Sequence, residues 1–132
     1  MEMTKPFIML AILAGQIALA QPSMAAGPKW KRVSESEDGS SKHCVDTSSI
    51  KRSGDTVDFT ERTEMNGDPD GWKEVVSESR VNCKTLMSLP IRMTITYGGG
   101  RSEQFENVDP ESWTAIEPDS VGSEVQQFVC SK

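Results

Sequence analysis

Alternation of apolar and polar side chains over residues 91–97 is the feature that most restricts the fold of this chain. Every second position there is apolar, and the apolar residues are Ile91, Met93, Ile95 and Tyr97. Because successive side chains of a β-strand point to opposite faces of its sheet, a period of two predicts a strand with one buried face. The glycine turn at 98–100 follows, so residues 101–106 are expected to return as the partner strand of a hairpin.

Four further segments also predict strands. Val57 and Phe59 lie on one face of a strand over 56–64, whose other face is polar. A longer strand over 72–83 carries Val75, Val81 and Cys83 on one face. The two shorter strands are expected over 30–34 and 42–46, and turns are expected at 46–49 and 53–55. Together with the hairpin, these segments predict about six antiparallel strands.

The last segment has a helical period. Val121, Val125, Phe128 and Val129 are spaced as one apolar stripe of a helix that ends at Cys130. Ser123 and Gln126 fit the spacing of a capping box at its start. A short amphipathic helix is marginal alone and needs a surface to pack on. The predicted fold class is therefore α+β, an antiparallel sheet with a short C-terminal helix on one face.

Residues 1–26 have the pattern of a secretory signal peptide. Lys5 precedes an apolar run from Phe7 to Ala20, which is shorter than the about 20 residues needed to span a bilayer. Cleavage fits after Ala20 and after Ala25 or Ala26. Export is therefore expected, and residues 27–132 are predicted to form a single domain. No second apolar run follows, so no transmembrane anchor is expected.

The charge and the position of the first cysteine restrict the partners and the location. The formal net charge is -6, which repels phosphate backbones, so no nucleic-acid partner is expected. Lipid attachment needs a cysteine just after the signal peptide, and the first cysteine is Cys44. A periplasmic or secreted protein is therefore favoured over one anchored at the cell surface.

The three cysteines of the chain are Cys44, Cys83 and Cys130. In an oxidising compartment two of them are expected to pair. A bridge from Cys83 in the sheet to Cys130 on the helix would hold the helix in place, and this pairing is favoured. Bridges from Cys44 to either of the other two remain alternatives.

No catalytic or metal-binding pattern is recognised in the chain. The one histidine, His43, adjoins Cys44 on a predicted strand, where neighbouring side chains point to opposite faces. This geometry argues against a Cys–His nucleophile pair and against a metal site. The oxygen-rich loop at 68–71 lacks the later glutamate of a calcium-binding EF-hand loop. We therefore predict no enzyme activity, no cofactor and no metal ion.

Five residues are candidates for a binding surface. Trp72 and Trp113 are candidates because tryptophan is enriched at binding hot spots, although most tryptophans in a small domain pack in its core. Lys29, Lys31 and Arg32 form a basic cluster near the start of the mature chain. We expect this cluster to be a solvated tail, or alternatively a contact for an acidic partner.

Several short motifs occur in a defined order between residues 30 and 130. They are Trp30–Val33, Val45-Asp46, Ser49–Gly54, a serine-rich strand that ends at Cys83, Trp113–Ile116, Pro118–Ser120 and Phe128–Cys130. In this order the chain resembles the bacterial surface-adhesin protein E family. The resemblance implies a six-stranded antiparallel sheet whose C-terminal helix is tethered by a Cys83–Cys130 disulfide. It also implies binding to host proteins and an ability to form a homodimer.

Cys44 departs from the family pattern, which has an aromatic residue at this position. We expect it to be a free thiol, buried as a small hydrophobic group, with an intermolecular crosslink as the alternative. The leading functional hypothesis is an exported, non-enzymatic, adhesin-like protein that binds host or envelope proteins. The alternative is a periplasmic or secreted domain that binds a small ligand, or an enzyme whose site forms only in the folded chain.

Overall fold

The computed structural model describes residues 27–132, so the predicted signal peptide at 1–26 lies outside the described residues. Its strands are β1 (Trp30–Glu35), β2 (Ser41–Asp46), β3 (Lys51–Ser53), β4 (Thr56–Met65), β5 (Trp72–Asn82), β6 (Met87–Tyr97), β7 (Ser102–Glu106) and β8 (Thr114–Ala115). A 3-10 turn, Thr47–Ser49, connects β2 to β3, and the α-helix α1 (Val121–Cys130) follows β8.

All strand pairs are antiparallel and form one sheet. Its strand order is β1-β2-β4-β5-β6-β7, with β3 beside the first residues of β4 and β8 beside the first residues of β6. The predicted α+β fold with about six strands is confirmed. The two additional strands, β3 and β8, were not predicted, because runs of three and two residues are too short to show a period.

The strand with the clearest alternation is longer than predicted and carries a bulge. Met93 and Ile95 occupy one face of β6 as expected, and Ile95 is buried. However, β6 begins at Met87, and Ile91 has no register partner, because Ser79 pairs with Pro90 whereas Glu78 pairs with Arg92. Proline has no N–H to donate to the ladder, so a bulge at this position is the expected result.

The helix begins three residues earlier than the predicted capping box. Ser120 is the N-cap, and its Oγ accepts a hydrogen bond from the Ser123 N–H at 3.1 Å. The Ser123 Oγ accepts in return from the Ser120 N–H at 3.1 Å. The predicted box of Ser123 and Gln126 is therefore wrong. A serine hydroxyl takes the place that glutamate or glutamine usually holds in this motif, so the usual sequence signature is absent.

The cap gives a direct stability prediction. Ser120→Ala should lower the free energy of unfolding by about 1 kcal/mol, because it leaves a first-turn N–H without its acceptor. Urea denaturation of the two proteins measures the difference. Ser53→Ala, a change at an exposed serine outside the helix, should alter the value by less than about 0.5 kcal/mol. Equal losses in the two variants would contradict the capping role.

The core lies between α1 and one face of the sheet. Helix α1 contacts β1 and β4, and the predicted stripe supplies Val125 and Val129 to the core. Four sheet residues complete this buried cluster, and they are Val45, Val57, Phe59 and Val81. Each buried aliphatic side chain of this kind contributes about 1.5 to 3 kcal/mol, so burial of Val125 and Val129 holds the helix against the sheet.

A disulfide beside this core joins the last residue of α1 to Cys83, the residue that directly follows β5, which ends one position earlier than predicted. Cys83 and Cys130 are bonded, with Cα atoms 5.8 Å apart and a sequence separation of 47. The favoured pairing is confirmed, and the two alternative bridges from Cys44 are wrong. The Arg52 Nη2 donates a hydrogen bond to the Cys130 carbonyl oxygen at 2.6 Å, which adds a polar contact at the same end of the helix. Cys44 is unpaired and buried, with 7% of its surface exposed.

Candidate functional site

The two faces of the sheet differ in chemistry because β4 alternates between them. Val57 and Phe59 point to the side that α1 covers, which we call the helix side. Asp58, Thr60 and Arg62 occupy the other side, which we call the outer face. Glu61 is the exception in this pattern, since its position puts a carboxyl group on the helix side.

Charge pairs cross the outer face from strand to strand. Arg80 on β5 donates two hydrogen bonds to Asp58 on β4, at 2.6 and 2.9 Å. Arg92 on β6 contacts Glu78 at 2.6 Å and Glu106 at 3.1 Å. These side chains are about 40% exposed or more, so each pair contributes less than about 1 kcal/mol. These pairs make the middle of the outer face polar, with charges that are largely paired with one another.

Cys44 lies on the outer face near the β1 edge. It is the register partner of Arg32 on β1 and of Arg62 on β4. The Arg62 guanidinium stacks on the Trp30 ring at 4.6 Å and bonds to Glu64 at 2.9 Å. The thiol therefore lies between two arginine-bearing strands, beside a stacked Trp–Arg pair.

His43 lies on the opposite side of β2 from Cys44. Its ring nitrogens contact two hydroxyls, with Nδ1 3.1 Å from the Thr63 Oγ1 and Nε2 3.4 Å from the Ser41 Oγ. Burial lowers the pKa of His43, and the charge of Glu124 on α1 opposes this shift. The imidazole is thus held between two hydroxyl groups on the helix side of β2. Among residues 27–132, no group of three or more His, Cys, Asp or Glu side chains is placed to hold a metal ion.

A cleft lies on the helix side between α1, β8 and the strands β4 to β6. We call it the helix-side cleft and define it by Phe59, Glu61, Ser79, Val81, Ile116 and Val125. Its volume is about 260 Å³. Burial raises the pKa of Glu61 to about 7, and a hydrogen bond from Ser79 opposes the shift. Sequence reasoning did not single out Glu61. The signal was present, because this glutamate occupies a position of β4 that lies on the same face as Val57 and Phe59.

The five candidate binding residues lie in three separate places. Trp72 pairs with Tyr97 at one end of β5 and β6, whereas Trp113 precedes β8, which pairs with the opposite end of β6. The basic cluster lies at the β1 edge, across the sheet from β6. The structure therefore does not bring the tryptophans and the basic cluster together into one surface.

The basic cluster is not a free tail. Lys31 and Arg32 are part of β1, and the Lys29 N–H donates to the Asp46 carboxylate at 2.9 Å. Arg32 is bonded to Glu35 at 2.6 Å. The three basic residues are exposed to solvent as expected, but the expectation of a flexible tail is wrong, because pairing with β2 orders this segment.

One candidate residue has neighbours that suit a binding surface. Trp72 and its register partner Tyr97 are both half-buried, and the Arg101 guanidinium lies 4.1 Å from the centre of the Tyr97 ring. Arg101 also pairs with Glu103, and its side chain is 65% exposed. We call Trp72, Tyr97 and Arg101 the aromatic end patch.

Comparison with known families shows to which family the chain belongs. The family model described as surface-adhesin protein E matches residues 30–131. This chain belongs to the surface-adhesin protein E family. The resemblance inferred from the ordered motifs is therefore confirmed, and the match covers every described strand and α1 of this family member.

Solved structures of Haemophilus influenzae protein E are similar to this family member. The selenomethionine form has a TM-score of 0.52 and 14% sequence identity, and the match covers 83% of this chain and 96% of that chain. Crystal form II has a TM-score of 0.52 and 13% identity, with 83% and 97% covered. At this identity the likeness shows a shared fold. No curated protein is significantly similar to the chain in sequence.

None of the helices within residues 27–132 combines the length and the apolar character needed to cross a membrane.

Proposed function

We propose that this chain is an exported, non-enzymatic, adhesin-like protein that binds a protein partner of the host or of the cell envelope. Membership of the surface-adhesin protein E family supports the class of function. The observation that carries the proposal is the aromatic end patch. It joins a tryptophan, a tyrosine and an arginine, which are the residue types most enriched at the hot spots of protein interfaces.

The patch has the structure of a preformed anchor. Pairing of β5 with β6 fixes the backbone of Trp72 and Tyr97, and each aromatic side chain has only two χ angles to be fixed on binding. Arg101 is stacked on the Tyr97 ring, and its guanidinium remains exposed to a partner. A flat ring beside an oriented cation offers both apolar contact and charge-assisted hydrogen bonds.

The location of the protein is proposed from the signal peptide and from the burial of Cys44. Export is expected from the predicted signal peptide, and Cys44 is buried in the sheet, which makes this thiol unsuitable as a site for a lipid. We propose a periplasmic or secreted protein. Cell fractionation combined with the intact mass of the mature protein tests this, and a lipid-modified mass in the membrane fraction would contradict it.

Partner binding is tested first with the unmodified protein. The mature, disulfide-bonded chain is immobilised and exposed separately to host matrix and plasma proteins and to an extract of the native periplasm. A saturable partner in either sample is expected. If titration finds none in either sample, the binding function is wrong.

The patch is then tested on that partner. Arg101→Ala should weaken binding at least about fivefold, and Trp72→Ala at least about tenfold, because both remove hot-spot groups. Arg32→Ala and Trp113→Ala are matched controls, since they change the same residue types at sites away from the patch. Arg101 is exposed, so its removal leaves the fold intact. Equal losses in the patch variants and the controls would contradict the assignment.

A further inference from the structure

We propose that the helix-side cleft binds a small organic amine, whose ammonium group pairs with the Glu61 carboxylate while its apolar body contacts Phe59, Ile116 and Val125. The site goes beyond the proposed partner binding and does not depend on it. It lies on the helix side of the sheet, near the β8 end of β6, whereas the aromatic end patch lies at the opposite end of β6.

The composition of the cleft favours a ligand with one positive charge. Glu61 is the only ionisable side chain among the described residues that line it, and most of the other lining groups are apolar. An anion would meet this carboxylate with no compensating cation. A neutral apolar molecule would leave the half-buried carboxylate without a cation to pair with, which is unfavourable.

No cation of the chain itself takes this role. Glu61 forms no ion pair among the described residues, and its register neighbours, Val45 on β2 and Ser77 on β5, are uncharged. Lys31 on β1 pairs with Val45, which in turn pairs with Glu61. This lysine therefore lies two strands away from Glu61, and it is exposed. An ammonium group from a ligand would thus supply the missing charge.

Few other titratable groups face this part of the helix side. From β2 there is His43, whose register partner Thr63 is two residues from Glu61. From α1 there is Glu124, and from the segment after β8 there is Glu117, and both are exposed. The raised pKa of Glu61, about 7, has burial as its main cause, which fits a carboxyl group that lacks a cationic partner.

The dimensions of the cleft limit the size of the ligand. Its volume of about 260 Å³ lies just below the range of about 300 to 1,000 Å³ typical of sites for drug-sized molecules. A ring or short chain carrying a single amine fits this size. Gly122, in the first turn of α1, also lines the cleft, so no side chain from this position narrows it.

Three probes of one shape test the proposal on the mature, disulfide-bonded protein. Benzylamine carries the required charge, benzyl alcohol is its neutral analogue, and benzoate is an anion of the same size. Chemical shifts of backbone amides are followed by NMR during each titration at pH 8. Benzylamine should bind with a Kd on the order of millimolar, about tenfold or more tighter than benzyl alcohol, with shifts concentrated around the cleft.

A variant and its matched control identify the carboxyl group. Glu61→Gln keeps the shape of the side chain and should weaken benzylamine binding about 10- to 100-fold, because a charge-assisted hydrogen bond is lost. Glu117→Gln removes the same charge from an exposed residue next to Ile116 and should change the affinity less than about twofold. If both variants weakened benzylamine binding equally, the loss of affinity would come from the change in net charge and not from the cleft. That result would overturn the proposal.

Measurements on the unmodified protein also test the proposal without any variant. Saturating benzylamine should lower the pKa of Glu61, measured from its side-chain carbon shift, and binding should weaken more than tenfold between pH 8 and pH 5.5 as Glu61 gains a proton. An unchanged pKa of Glu61, equal binding of benzyl alcohol, or no saturable shifts at the cleft would each overturn the proposal.

Discussion

Removal of the Cys83–Cys130 disulfide is expected to lower the free energy of unfolding by about 4 kcal/mol. The bridge closes a loop with a sequence separation of 47, and the loss of chain entropy in the unfolded state gives this magnitude. Domains of this size are stable by only about 5 to 15 kcal/mol. The loss is therefore a large part of the total, and α1 should lose its fixed position first.

The measurement is urea denaturation of the double variant Cys83→Ala/Cys130→Ala, with circular dichroism as the probe. Cys44→Ala is the control, because it removes a buried thiol that belongs to no bridge. It should cost only about 1 kcal/mol. The reduced unmodified protein should behave like the double variant. If the double variant loses no more than the control, the disulfide is not a main support of the fold.

Glu61 is expected to make the stability fall as the pH rises from about 4.5 to 7. The pKa of this carboxyl is 4.5 without the fold and about 7 in the folded chain, so the folded state binds the proton more tightly. The corresponding stabilisation is fully present below pH 4.5 and is lost progressively as the pH rises to 7. Its upper limit is about 3 kcal/mol, and partial exposure to solvent lowers it to about 2 kcal/mol.

Glu61→Gln isolates this contribution, because glutamine does not titrate. Relative to the unmodified protein, the variant should gain about 2 kcal/mol between pH 4.5 and pH 8. Denaturant curves at several pH values provide the measurement, and Glu117→Gln serves as the exposed control. Parallel pH profiles of the unmodified protein and Glu61→Gln would show that the carboxyl group is not desolvated in the fold.

Much of the fold could be predicted because, in a long strand, the alternation of apolar and polar residues shows which side chains are buried. The alternation of β6 and the helical stripe of α1 each extend over enough residues to define a period. The short strands β3 and β8 have no such signal, since their pairing depends on where β4 and β6 already lie. Pro90 could have indicated the bulge at Ile91, whereas the alternation of apolar residues gives no sign of it.

The candidate sites were less predictable, because they depend on distant residues. The pairing of Cys83 with Cys130 could be inferred, since a short helix needs a tether. The helix-side cleft could not, because Glu61 and Val125 approach each other only when α1 packs across the sheet. Trp72 was recognised by its residue type, whereas its neighbour Arg101 becomes part of the same patch only through the turn that joins β6 to β7.

The position of α1 also has a consequence for how the chain folds. Strands β4 to β7 are joined in sequence and lie side by side, so these hairpins can form one after another through local contacts. Helix α1, by contrast, follows β8 near one edge of the sheet yet contacts β1 at the other edge. This contact between the first and last elements carries the largest loop-closure entropy. We therefore expect docking of the helix to be the slow, late step of folding, with the strands already paired.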